Sequence, residues 1–355
     1  MNTRLSKLYA TVCTLLLTAG LFTVFFFAWT VSLDGVIACI FGVVASLVVA
    51  PIAHEFGHIA FAKWANMQVV YAKFFCFKLF EKDGKLRFGF ASPFAHDQTQ
   101  VVPKTGGNML SRAKKYTIGG LVFSGALLLI ITAGAVVCAC VGAPSFELLG
   151  SLPYIAYLFL LNAVPAYYAS GKTDAAVYIG LKKGYAQEKN MLAAMEIQGR
   201  LYAGESFGEI DEKLYTDVPQ LCEDEPLYAV MLDLKYRYYL EKERFDDAAD
   251  ALNRLVKNQA YLSAEETEKI AAELVYMHAI NGDIESAEKS ANYCKDFLSG
   301  DSAQAKRALA AVSAAVGKTE EAEILINQAH VALQNERIKG VAKGEEILLS
   351  RITVV

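Results

Sequence analysis

Charge is scarce in this 355-residue chain: Asp, Glu, Lys and Arg make up 20% of it, against 54% hydrophobic residues, and the mean hydropathy is +0.28. That balance excludes a disordered tail protein and argues that part of the chain is not water-soluble. A basic excess is also missing. The net charge of −4 excludes a basic nucleic-acid binder. The seven cysteines are odd in number and include no Cys-x-x-Cys pair, so they form neither a thiolate metal site nor a secreted disulfide scaffold. Acidic residues are few near the start: residues 1–185 hold seven, with 15 Lys and Arg, whereas residues 186–355 hold 31 and 19. A +8 half precedes a −12 half, the pattern of a membrane domain over 1–185 followed by a soluble domain over 186–355.

Long uncharged runs are what the first half does have. Residues 8–33 form one of 26 residues, longer than the ~20 needed to cross a ~30 Å hydrocarbon core as a helix. Arg4 and Lys7 before it resemble the start of a signal peptide, but the run is too long for one and no small-x-small cleavage site follows, so it is expected to stay as an anchor. Further crossings are expected over 35–64, 116–142 and 146–168, giving a mainly α polytopic membrane protein with about four transmembrane helices. Ten Lys and Arg fall between 63 and 115, while the connections near 34 and 143–147 have none. Since positive connections stay in the cytoplasm, the 63–115 loop and both termini are expected on the cytoplasmic side of a cell membrane. The architecture fits a bacterial source.

Within that loop, two aromatic and β-branched stretches flank Glu81-Lys82-Asp83-Gly84, which predicts a β-hairpin over about 67–91 with an Asp-Gly turn. So many aromatics on a short ribbon suit either the membrane interface or packing on the rest of the loop. From about 225, Phe245-Asp-Asp-Ala248, Ile284-Glu-Ser-Ala287 and Thr319-Glu-Glu-Ala322 each mark the start of the second helix of a pair, with Gly282 and Gly317 in the turns. The alanines are 39 and then 35 residues apart, near the tetratricopeptide period. A tetratricopeptide-like helical domain and an irregular antiparallel bundle both fit. In either case the domain lacks a catalytic constellation and is expected to bind a regulator or adaptor.

The chemistry lies where the second apolar run meets His54-Glu55-Phe56-Gly57-His58. Residues i and i+4 share a helix face, so His54 and His58 suit one Zn²⁺ with Glu55 beside it as a base. The five-residue pattern is weak alone, but an Asp, Lys or Arg at a helix centre costs ~2.5–3.5 kcal/mol on insertion scales, so three ionisable groups ending an uninterrupted apolar helix imply a partner or a function. A third ligand is needed from elsewhere. His96, His278 and His330 lack an apolar setting near the end of a crossing; Asp174 follows the fourth crossing on the side where the second ends, and is the better candidate.

With Asn162-Ala-Val-Pro165 ahead of Asp174, the combination resembles the site-2 protease family of intramembrane zinc metalloproteases over roughly residues 35–180. His54, Glu55 and His58 match its first motif, and Asn162, Pro165 and Asp174 its second. Gly119-Gly120 and Ser124-Gly125 match small residues that pack its helices closely. Here the spacing from Pro165 to Asp174 is longer than usual, Ala175 replaces the customary Gly, and no outward connection is long enough for a peptide-binding domain.

The resemblance implies zinc-dependent hydrolysis of a peptide bond in a transmembrane segment or leftover signal peptide, near the cytoplasmic face. Glu55 would act as the proton carrier. Asn162 either holds an extended substrate or makes an interhelical hydrogen bond, and the hairpin offers an edge for strand addition. Two other functions compete: a catalytically silent membrane scaffold acting through its helical domain, for which an intact Glu55 has no use, and an ion-coupled transporter, which four crossings without an internal repeat fit poorly.

Overall fold

The computed structural model of the chain describes residues 3–82, 85–92, 98–104, 106–168, 171–258 and 262–353. It divides into two compact units, Met1–Glu188 and Lys189–Val355.

Four helices of the first unit are long and apolar enough to cross a membrane: α1 (Thr3–Val31), α2 (Leu33–Trp64), α3 (Met109–Cys140) and α4 (Phe146–Ala163). Side-chain caps set the starts of α2 and α3. Ser32 accepts from the Gly35 N–H at 2.9 Å, and Asn108 accepts from the Ser111 N–H at 2.9 Å. α2 lies at the centre and packs on both α3 and α4. Its approach to α4 is backbone to backbone, since a Cβ at Gly42 would lie 2.0 Å from the Glu147 carbonyl oxygen and one at Gly150 2.4 Å from that of Cys39. The outer faces are strongly apolar, with Phe22, Phe41 and Leu129 each more than 70% exposed, which is far more open hydrophobic surface than a water-soluble bundle carries.

Three helix limits differ from the sequence expectation by more than two residues. α1 begins at Thr3 rather than 8, because Arg4 and Lys7 end the uncharged run without ending the helix. α3 begins at Met109 rather than 116, because the basic stretch Arg112–Lys115 ends the apolar run without ending the helix. α4 stops at Ala163 rather than 168, because the residues around Pro165 turn into a small hairpin.

Between α2 and α3 lies a four-stranded antiparallel sheet in the order β3-β2-β1-β4, made of β1 (Met67–Phe74), β2 (Phe77–Lys82), β3 (Lys85–Phe90) and β4 (Gln98–Pro103). β2 and β3 pair as the expected hairpin, from Phe77↔Phe90 to Lys82↔Lys85; Asp83-Gly84 and His96 lie outside the described residues. The first predicted stretch is two strands, not one. It turns at Phe75, which takes φ 52°, and Cys76. β4 was not expected at all. One face of the β2–β3 ribbon carries Phe77, Leu79, Leu86, Phe88 and Phe90, with ring centroids of Phe77, Phe88 and Phe90 5.3–5.9 Å apart and Phe90 72% exposed. The other carries Lys78, Phe80 and Arg87.

After α4 come β5 (Tyr167–Tyr168), β6 (Gly171–Lys172) and α5 (Asp174–Lys183), and α6 (Ala186–Ala203) leads into the second unit. That unit continues with α7 (Lys213–Thr216), α8 (Pro226–Glu241), α9 (Phe245–Lys257), α10 (Ala264–Ile280), α11 (Ile284–Tyr293), α12 (Lys295–Leu298), α13 (Ala303–Ala315), α14 (Thr319–Leu333) and α15 (Lys339–Ser350).

α8/α9, α10/α11 and α13/α14 form three helix pairs. Ala248, Ala287 and Ala322 are fully buried in the second helix of each. Left-handed turns join the partners at Gly282 (φ 76°) and Gly317 (φ 75°), and the equivalent position of the first pair is Glu243 (φ 58°). A buried ionic cluster ties four helices together: the Arg307 guanidinium on α13 donates to Glu273 on α10 at 2.8 Å and to Glu345 on α15 at 2.7 Å, while the Tyr236 hydroxyl on α8 donates to Glu273 at 2.6 Å.

Candidate metal centre

His54 and His58 sit one turn apart on the inner face of α2, Pro51 lying one turn earlier, and both are nearly buried. The face can be buried because α3 comes close at this level. A Cβ on Gly57 would stand 2.3 Å from the Gly119 carbonyl oxygen, and one on Gly119 2.4 Å from that of Gly57. Next to this crossing, a Cβ on Gly120 would lie 2.5 Å from His58 Nε2 and 2.8 Å from His54 Nε2. The small residues of α3 thus open the space that the two imidazoles fill.

Asp174 completes the group as the first residue of α5. The residues that lengthen the Pro165–Asp174 spacing fold back on themselves. β5 pairs with β6, the Thr173 N–H donates to the Ala166 carbonyl at 3.1 Å, and the Thr173 hydroxyl donates to the Val164 carbonyl at 2.8 Å. The extra length is taken up in a loop whose ends meet, so Asp174 emerges beside the end of α4. Ala175, in place of glycine, is simply buried in α5.

Asp174 Oδ2 lies 3.3 Å from His54 Nε2 and 3.3 Å from His58 Nε2, and the two Nε2 atoms are 3.3 Å apart. These three form the one group of potential metal ligands found among the described residues. A tetrahedral zinc site with bonds of ~2.0–2.1 Å spaces its ligand atoms about 3.3 Å apart, so the triangle fits such an ion. Asp174 Oδ2 is buried and accepts no hydrogen bond, which would leave a carboxylate oxygen uncompensated without a cation. The far side of each imidazole is engaged: His58 Nδ1 donates to the Tyr116 carbonyl at 3.1 Å, and His54 Nδ1 meets the Ser124 hydroxyl at 3.0 Å. Because a carbonyl only accepts, His58 carries its hydrogen on Nδ1 when neutral, and the Nε2 lone pair faces the cluster.

Glu55, buried on α2, accepts from the Thr99 hydroxyl of β4 at 2.6 Å. The other expected site residues stand apart from this network. Asn162 is half-buried at the end of α4 and donates to the Leu158 carbonyl of its own helix at 3.3 Å, not to another helix. Pro165 stands in the extended link that follows. His278 and His330 belong to the second unit, where each faces a carboxylate, Asp283 at 3.6 Å and Glu346 at 3.9 Å. Sequence reasoning missed Thr99 and Tyr116, since nothing in QTQVVP or in the basic start of α3 signals a partner 44 or 58 residues away.

No family model matches the chain, and neither curated proteins nor solved structures show a significant similarity to it. Its functional assignment therefore rests on the motifs and on this geometry.

Proposed function

We infer that the chain is an intramembrane zinc metalloprotease of the site-2 protease type. α1 to α4 would span the cell membrane, with both termini and the sheet on the cytoplasmic side. The observation that carries this reading is the 3.3 Å triangle of His54 Nε2, His58 Nε2 and Asp174 Oδ2, with no hydrogen bond reaching the carboxylate oxygen. His54, His58 and Asp174 would hold Zn²⁺, which supplies Lewis acidity and makes water nucleophilic near neutral pH.

The chain's own residues do the rest. Glu55 takes the proton from the attacking water at its carboxylate and returns it to the leaving amine. The Ser124 hydroxyl and the Tyr116 carbonyl orient the imidazoles. The apolar walls of α2 and α3 limit water around the reacting bond. Asn162 keeps its amide oxygen for the backbone of a locally unwound substrate, Pro165 holds the link beyond it extended, and β4 is the sheet's edge strand next to Glu55. The substrate is a membrane-embedded peptide: a transmembrane segment or a leftover signal peptide. The exposed aromatic face of the β2–β3 ribbon suits the lipid interface, and the acidic helical unit suits a regulator or adaptor.

The test is cleavage of a synthetic hydrophobic signal-peptide sequence by the full chain in liposomes, followed by mass spectrometry. Cleavage lost in Glu55→Gln and His58→Ala supports the reading. A zinc-loaded chain that cleaves none of a panel of such peptides favours the scaffold function instead.

A further inference from the structure

β4 reaches the metal centre through two hydrogen bonds that meet at Thr99, one to α2 and one from α3. The Thr99 hydroxyl donates to Glu55 at 2.6 Å, and the Thr99 carbonyl accepts from the Tyr116 hydroxyl, also at 2.6 Å. Tyr116 accepts the His58 Nδ1 hydrogen at its own carbonyl, and its ring centroid is 5.1 Å from that of His58. Beyond Thr99 the strand is anchored by Val101 and Val102, both buried, and by its pairing with β1. The Tyr116 phenol adds a tether from α3 to the Thr99 carbonyl.

We propose that Thr99 is a positioning residue for Glu55, and that Tyr116 orients base and ligand together, its phenol holding the strand that carries Thr99 and its carbonyl holding His58. The role rests on the metalloprotease reading for its chemistry but not for its geometry. A hydroxyl donor on a strand fixed at both the sheet and α3 selects the direction of the Glu55 carboxylate and keeps it facing β4, the edge where an extended substrate would lie. Tyr116 makes the selection cooperative, because a shift of α3 would move His58 and Thr99 in one step.

Three measurements on the full chain in detergent test this. In chelator-treated protein, Tyr116→Phe, which keeps ring and carbonyl, should speed amide exchange over residues 98–102 by roughly two- to tenfold, the loss of one hydrogen bond. In the same zinc-free protein, Thr99→Val and Glu55→Met should be coupled, the double variant losing less thermal midpoint than the two single losses together. In zinc-loaded protein, Thr99→Val should leave zinc affinity unchanged and lower peptide cleavage at least tenfold, while Thr99→Ser restores it.

A purely structural role predicts the opposite order, since Val suits a strand better than Ser does. Val cleaving as well as Ser, uncoupled midpoints, or exchange unmoved by Tyr116→Phe overturns the proposal. A parent chain without zinc whose Thr99 and Glu55 are still coupled overturns the protease reading and leaves the positioning intact.

Discussion

Gly120→Ala probes the centre with a single methyl group. The added Cβ would lie 2.5 Å from His58 Nε2, 2.6 Å from His54 Cε1 and 2.8 Å from His54 Nε2, so contacts must open by roughly 0.6–0.9 Å to reach van der Waals separation. α3 cannot retreat cheaply, because the Gly57–Gly119 crossing one residue away already sets its distance from α2. The imidazoles must turn instead, and turning weakens their bonds to Ser124 and Tyr116.

Without metal they give up only those hydrogen bonds, whereas a bound ion would also lose its ligand geometry, so the larger part of the strain falls on the metal-bound form. Overpacking of this kind costs about 1–3 kcal/mol, which is roughly a 5- to 150-fold loss of zinc affinity. Competition against a chromophoric chelator measures it on the purified full chain. Gly125→Ala, one turn further along α3, is the control: its Cβ meets only the Phe159 ring, at 3.2 Å, and zinc affinity should hold. Gly120→Ala binding zinc as tightly as the parent would refute the assigned ligand atoms.

Removing the hydroxyl that meets His54 Nδ1, in Ser124→Ala, should weaken zinc by about 10- to 100-fold in the same assay. In the helical unit, Glu243→Gly should stabilise the fold by about 0.5–1 kcal/mol. It relieves a left-handed φ of 58°, while the Arg351 ion pair it removes has an exposed carboxylate and contributes little, Arg351 keeping its bonds to the Leu240 and Glu241 carbonyls; a denaturation midpoint that falls instead would contradict this. Acid should unfold that unit. Burial alone would push the Glu273 carboxyl up, but Arg307 and Arg237 beside it hold it below the ordinary 4.5. A depressed carboxylate stabilises the fold above its unfolded pKa and loses that contribution as pH falls through the folded value. The thermal midpoint should therefore be level down to about pH 5 and drop below about 4.5, and Glu273→Gln should flatten the drop.

Features carried by local periodicity were legible in the chain. α9, α11 and α14 begin at Phe245, Ile284 and Thr319 as expected, since a repeated small residue in each second helix marks a close helix contact wherever it recurs. The four apolar helices and the pairing of β2 with β3 were legible for the same reason. Turns built from untypical residues were hidden. Phe75 and Glu243 occupy left-handed conformations that glycine or asparagine usually announces, so β1 and β2 read as one strand and the first helix pair lacked its turn signal.

Contacts across long sequence separations were legible only where a ligand set demanded them. His54, His58 and Asp174 could be grouped because a metal ion takes several ligands and the expected crossings would return the chain to one side. Thr99 and Glu55 could not, because a single hydrogen bond between a short polar strand and a helix leaves no pattern in either segment.

Zinc binding is the property on which the proposed activity turns. Elemental analysis of the full chain, purified in detergent and dialysed against trace zinc, should find about one zinc per chain. Glu55→Gln, which removes a base and no ligand, should keep it, whereas His58→Ala and Asp174→Ala should each lose most of it. A parent chain that holds no zinc would contradict the metal centre, as would zinc content indifferent to both ligand substitutions.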